Sequence, residues 1–180
     1  MSSRTLISAA LLVATAAAQA AEPASPYAGQ EARTIKALSA EDVEALRKGQ
    51  GMGFAKAAEL NGYPGPAHVL ALADRLQLTP EQLSQTRAIE ASMRAKAKAL
   101  GAELIDAERE LDTLFAAKYV NRESLSASLE RIGDLQSALR KTHLEAHLAQ
   151  AALLNADQAA RYNELRGYCH SDSASDHQNR

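Results

Sequence analysis

The stretch THLEAHL carries the residues best suited to chemistry: His143 and His147 stand four positions apart, a spacing that puts both imidazoles on one helix face within reach of a single ion. Further on, YCH adds Cys169 and His170, and three or four such nitrogen and sulfur donors are what a Zn or Cu ion takes. His68 or Glu103 could join them only if the fold brings one near. The competing reading is two helical histidines at the border of an apolar stripe, hydrogen-bonded or solvated, since the Glu of HExxH is missing. One Cys in the chain excludes an internal disulfide framework and leaves Cys169 as a ligand, a free thiol or a link between two chains. No Ser, His and Asp, or Cys and His, stand in a spacing known from a nucleophilic site, and no GxGxxG or GxxxxGK[ST] occurs. The chain therefore reads as a non-enzyme that requires no cofactor, with Zn or Cu as the metal to test.

A second recurrent pattern concerns helix starts. LTPEQ, Leu78 to Gln82, returns as LNADQ, Leu154 to Gln158. Thr79 or Asn155 followed three residues later by Gln is a capping box: the cap side chain accepts the Gln backbone N–H, and the Gln side chain reaches back to the cap N–H. Pro80 falls at the first helical position, where its fixed φ helps. LSAED is a weaker copy, with Ser39 facing Asp42.

These boxes open elements that periodicity defines. Ile89, Met93, Ala97, Leu100, Leu104, Ala107, Leu111 and Leu114 recur at steps of three and four, one stripe on a helix running from Pro80 towards Tyr119. Gly101 is its weak point, costing about 1 kcal/mol against Ala. KYVNRES offers a break with Asn121 as the next cap, and a second long helix follows from Arg122 to about Ala152, carrying Leu125, Leu129, Ile132, Leu135 and Leu139. The short connection predicts antiparallel neighbours. Ahead of them the sequence predicts short helices over Ala40 to Lys48, Phe54 to Leu60 and Ala67 to Arg75; after them comes a final helix from Ala156 to about Arg166, closed by Gly167. The fold class is all-α, with about four main helices and a long antiparallel hairpin.

Composition narrows the function. The chain has 20 basic and 22 acidic residues, with no basic stripe interleaved with aromatics, which argues against nucleic acid. Arg4, an apolar run from Leu6 to Ala18 and small residues at Ala18 and Ala20 read as a secretory signal cleaved near Ala20, too short to span a membrane. The expected organisation is a signal over 1–20, a flexible arm over 21–38, a helical domain over 39–168 and a disordered tail over 169–180. Two Phe, five Tyr and no Trp make a thin core of the kind often completed by a second copy.

LTPEQ opening a long hairpin, LNADQ opening the last helix and a signal ahead of both resemble the Spy/CpxP family of periplasmic proteins with LTxxQ motifs, related to periplasmic heavy-metal resistance and sensor proteins. The resemblance covers roughly residues 40–168 and departs from the motif at Asn155, which caps at least as well as Thr. It implies a cradle-shaped homodimer that holds unfolded or misfolded envelope proteins without ATP, through an apolar face with flanking charges; Arg87, Met93, Arg94, Lys96, Lys98 and Leu100 are the candidates for that face. The alternative it carries is binding of a heavy metal such as Zn, Cu, Ni or Co in a resistance or sensor role, with a membrane sensor kinase as a further partner.

Overall fold

The computed structural model describes residues 25–168, so the expected signal, residues 21–24 of the arm and the tail from Cys169 onwards lie outside the described residues. Six helices make up the fold, with no strand among the described residues: α1 (Ala40–Lys48), α2 (Lys56–Glu59), α3 (Pro66–Ala71), α4 (Pro80–Ala116), α5 (Arg122–Leu153) and α6 (Ala156–Arg166). The helices α4 and α5 form the hairpin that the two stripes predict and share the most extensive packing in the molecule. At 1.5 Å per residue α4 alone extends about 55 Å.

Each long helix starts where its cap says it should. Ser39, Thr79, Asn121 and Asn155 all accept from the backbone N–H three residues on, and all four caps are reciprocated by that residue's side chain. Gly49 and Gly167 end α1 and α6 in the left-handed conformation, at φ 65° and 72°, which costs a residue without Cβ little.

The hairpin core joins Ala97, Leu104, Ile105 and Ala107 of α4 to Ile132, Leu135 and Leu139 of α5, with Leu46 of α1 and Ile35 packed on top. Gly101 does not break α4. A Cβ there would lie 2.5 Å from the Leu46 carbonyl oxygen, so the absent side chain is what lets the end of α1 rest on α4.

Within the segment expected to be a flexible arm, Ile35 is only 4 % exposed and joins the hairpin core, and Lys36 pairs with Asp112 at 3.3 Å. Two expectations need correction. The helix expected over Phe54 to Leu60 is confined to Lys56–Glu59, since Gly53 at φ 80° and a bond from the Phe54 N–H to the Gly51 carbonyl at 2.6 Å hold the preceding residues in a turn. The helix expected over Ala67 to Arg75 is Pro66–Ala71; Gln77 turns left-handed at φ 50° and the Leu78 N–H closes onto the Ala73 carbonyl at 3.1 Å, which redirects the chain into the Thr79 cap.

Candidate functional site

The repeated glutamines meet each other. Gln82 Nε2 donates to Gln158 Oε1 at 2.9 Å, and Gln158 Nε2 returns a bond to Gln82 Oε1 at 3.0 Å. Each oxygen also accepts its own cap N–H, from Thr79 and Asn155, both at 3.1 Å. Each nitrogen donates once more, Gln82 to the Leu153 carbonyl at 2.8 Å and Gln158 to the Leu76 carbonyl at 3.3 Å. An amide offers two donors and two acceptor positions, and both amides use all four. Leu78 and Leu154 flank this pair on a small apolar cluster around Val69, Leu76 and Tyr162. The motif therefore joins the starts of α4 and α6 as well as capping them.

Beside this junction lies a carboxylate that sequence reasoning missed. Glu59 ends α2 and is 8 % exposed. Its Oε1 accepts from the Tyr162 hydroxyl at 2.6 Å, the Tyr168 hydroxyl at 3.1 Å and Arg166 Nε at 3.2 Å, with His68 Nδ1 at 3.3 Å. Its Oε2 is buried and receives no hydrogen bond; His147 Nδ1 stands 3.7 Å away. Burial pushes the Glu59 carboxyl up, but the hydroxyl of Tyr162, then His68, Tyr168 and His147, outweigh it and hold the group below the usual glutamate range. The same contacts push the Tyr162 phenol well above its ordinary value, burial first and Glu59 next.

The two histidines of THLEAHL sit on α5, both buried, and His147 is the one beside this carboxylate. His143 is 3 % exposed, stacks on Phe54 with ring centroids 5.9 Å apart, and its Nε2 has no partner. Burial, then the neighbouring His147, holds its pKa below the ordinary histidine value. His147 Nδ1 lies 2.8 Å from the Tyr63 carbonyl; a carbonyl only accepts, so Nδ1 carries a proton and donates it to that bond. The fold brings His68 to the rim of Glu59, whereas Glu103 is exposed on α4. Cys169 and His170 lie outside the described residues.

These groups have the chemistry of metal ligands but not, as they stand, the arrangement. Among the described residues no three His, Cys, Asp or Glu side chains form a group fit to hold an ion. The physical reason is at Glu59: its charge is already matched by Arg166, and three donors together with the His68 ring crowd the oxygen an ion would approach.

The residues proposed from sequence for a client face divide. Met93 and Lys96 line a groove of ≈ 370 Å³ between α4 and α5, together with Ile89, Glu145, Ala146 and Ala149. Leu100 packs against the hairpin core. Arg94 pairs with Glu90, and Lys98 lays its stem beside Gly49 at the end of α1. Arg87 is exposed. Six residues within fourteen positions of a helix cannot share one side, and the groove selects two of them. Elsewhere on the surface Phe115, Tyr119 and Leu129 expose large apolar area around the hairpin turn, and Leu148 does so on α5. No helix among the described residues is long and apolar enough to cross a membrane.

A family model described as heavy-metal resistance matches residues 52–161, from the turn before α2 to the middle of α6. No curated protein and no solved structure matches the chain.

Proposed function

Because the chain belongs to the heavy-metal resistance family, in the LTxxQ, Spy/CpxP-like superfamily, we propose that it acts in the periplasm as an ATP-independent chaperone that holds unfolded or misfolded envelope proteins. The observation that carries this reading is the groove between α4 and α5, where Ile89, Met93, Ala146 and Ala149 form an apolar floor between Lys96 and Glu145. Methionine adapts its shape to varied apolar partners, and charges of both signs on the rim keep such a surface in water without selecting one client charge. Leu148 on α5 and the apolar residues around the hairpin turn are further exposed apolar area, apart from the groove. A second copy of the chain would widen the groove into a concave face, so a homodimer is part of the proposal.

The decisive assay is suppression of the aggregation of an unrelated unfolded protein at near-stoichiometric amounts, without nucleotide. Wild type should protect, and Met93→Glu should lose most of the protection while its helical circular dichroism stays unchanged. Absence of protection with several clients would return the chain to the metal-binding reading. That reading would have His143 and His147 joined by Cys169 and His170, and a saturable Zn²⁺ or Cu²⁺ titration lost in Cys169→Ser would be its signature.

A further inference from the structure

We propose that residues 50–63, which carry α2, form a strap that lifts from α5 while the α4–α5 hairpin stays folded, and that this motion gates access from solvent to His143 and His147.

The strap hangs between two ends built to turn. On the α1 side Gly49, Met52 and Gly53 stand in the left-handed region, at φ 65°, 42° and 80°, and Met52 carries a Cβ that makes this conformation costly. On the other side Gly62 stands there too, at φ 81°, just ahead of α3. Backbone held in a sparsely populated region marks a place where a segment can change shape, and hinges are a few such loop positions beside packed elements.

Between these ends the strap buries little. Among residues 50–63, all of them described, Ala58 is the one apolar side chain counted as buried; Phe54 is partly buried, and Met52, Leu60 and Tyr63 are exposed. The four residues of α2 make a single turn, too short to hold itself. Its neighbours are anchored without it, α1 by Leu46 in the hairpin core and α3 by Val69 in the cluster around Tyr162. A segment with so little apolar burial opens at lower free energy than the core beside it.

Three holds keep the strap down. Phe54 stacks on His143, the Tyr63 carbonyl accepts from His147 Nδ1 at 2.8 Å, and Glu59 Oε1 accepts from the Tyr162 hydroxyl at 2.6 Å, with Tyr168 and Arg166 beside it. Two of the three are polar, and water can replace them once the strap lifts. Opening also serves His143 Nε2 and Glu59 Oε2, which are buried without a hydrogen bond among the described residues, because solvation removes the cost of leaving them unpaired. Both imidazoles of α5 are buried while the strap is down, and the residues that hold against them belong to it.

The test is hydrogen exchange on the full chain, read by mass spectrometry, together with the rate of diethyl pyrocarbonate modification at each histidine. The hydrogen-bonded amides of Ala58, Leu60 and Tyr63 should exchange at least a hundredfold faster than those of Leu104 and Leu135 in the hairpin core. Ile132→Ala, in that core, should speed Leu104 and Leu135 and leave the strap amides unchanged. Tyr162→Phe removes a latch hydroxyl but keeps the ring, and should speed the strap amides and the modification of His143 and His147 at least tenfold. Half-exposed His68 should react quickly in every variant. Strap amides as slow as the hairpin core in wild type, or speeded equally with it by Ile132→Ala, would overturn the proposal, since the strap would then open only with the whole fold. Fast strap amides with both histidines still unreactive would overturn the gate, and folded Tyr162→Phe without acceleration would overturn the latch. If Tyr162→Phe loses its helical signal, Arg166→Gln takes its place, and the wild-type and Ile132→Ala measurements decide independently of both.

Discussion

Where α1 crosses α4, the contact is apolar and depends on a side chain that is missing: Leu46 sits with Ala97, Leu104 and Ile105, and its carbonyl lies where Gly101 would carry a Cβ. Where α6 meets α2 and α4, the contact is polar and depends on side chains that are present: Glu59 gathers Tyr162, Arg166 and Tyr168, and the two motif glutamines pair beside it. The first region tolerates a change of charge poorly and needs shape. The second needs each donor to have its acceptor, because a carboxylate buried without partners is far costlier than an imperfect apolar fit. The contrast teaches why the junction region carries both the repeated motif and a buried carboxylate with several donors: polar networks specify one arrangement of short elements too small to bury a core of their own.

The largest effect expected from breaking this contrast is at Glu59. Glu59→Ala removes the common acceptor of two hydroxyls and a guanidinium and leaves Tyr162 buried without its bond. Breaking one side of a buried ion pair costs about 3–5 kcal/mol; Arg166 is partly solvated, which puts the expectation near the lower end, about 3 kcal/mol. The midpoint of urea unfolding measures it. A loss below about 1 kcal/mol, the scale of an exposed pair, would mean that solvent already does the work of the network.

Gly101→Ala comes next and probes the other region, with two effects in opposition. Alanine gains about 1 kcal/mol over glycine inside a helix. Its Cβ would stand 2.5 Å from the Leu46 carbonyl oxygen and 3.0 Å from the carbonyl carbon, and backbone does not yield as a flexible side chain does. Overpacking of this kind costs about 1–3 kcal/mol, so a net loss of about 1 kcal/mol is expected. A higher thermal midpoint in Gly101→Ala would show that α1 shifts away without penalty.

The two regions were unequally legible in the sequence. The hairpin could be read because stripes at steps of three and four, and four cap residues, lie within single helices; α1, α4, α5 and α6 start at the positions that Ser39, Thr79, Asn121 and Asn155 predict. The Glu59 site could not, since its members come from four separate segments and the Glu59–Tyr162 bond spans 103 residues. His143 and His147 could be paired by spacing, but nothing in THLEAHL announces Phe54 under one ring or the Tyr63 carbonyl under the other. The Gln82–Gln158 pair was half legible. The repeat was visible, and local capping explained it without requiring the glutamines to touch.

That contact gives the third prediction. If the glutamines only cap their own helices, Gln82→Ala and Gln158→Ala should have additive costs. If they also hold each other, removing one leaves the other amide partly unsatisfied, and the double variant should cost less than the sum. Contacting residues couple by about 0.5–3 kcal/mol, and about 1 kcal/mol is expected here because two direct bonds are shared. A coupling within about 0.3 kcal/mol of zero would reduce the repeated motif to two independent helix starts.

The smallest effect lies on α5 between the two regions, at His143, and it is seen only as pH changes. The folded protein holds this imidazole below the ordinary value of 6.5, through burial first and His147 second. In the unfolded chain it titrates near 6.5. Above that value both states are neutral and the group contributes nothing to the pH dependence. As pH falls through 6.5 the unfolded chain takes up a proton that the folded chain refuses, so stability declines until the depressed folded pKa is passed. Glu59 works lower on the scale, because its carboxyl lies below 4.5 when folded and its stabilisation is lost only as pH falls through that lowered value. His143→Phe keeps a ring against Phe54 and removes the proton site, so its thermal midpoint should change less between pH 7 and pH 5 than that of wild type, while the steep loss below pH 4 remains in both. If the variant instead declines between pH 7 and pH 5 as steeply as wild type, another group sets that slope, and the buried imidazole belongs with the apolar region as a packing residue.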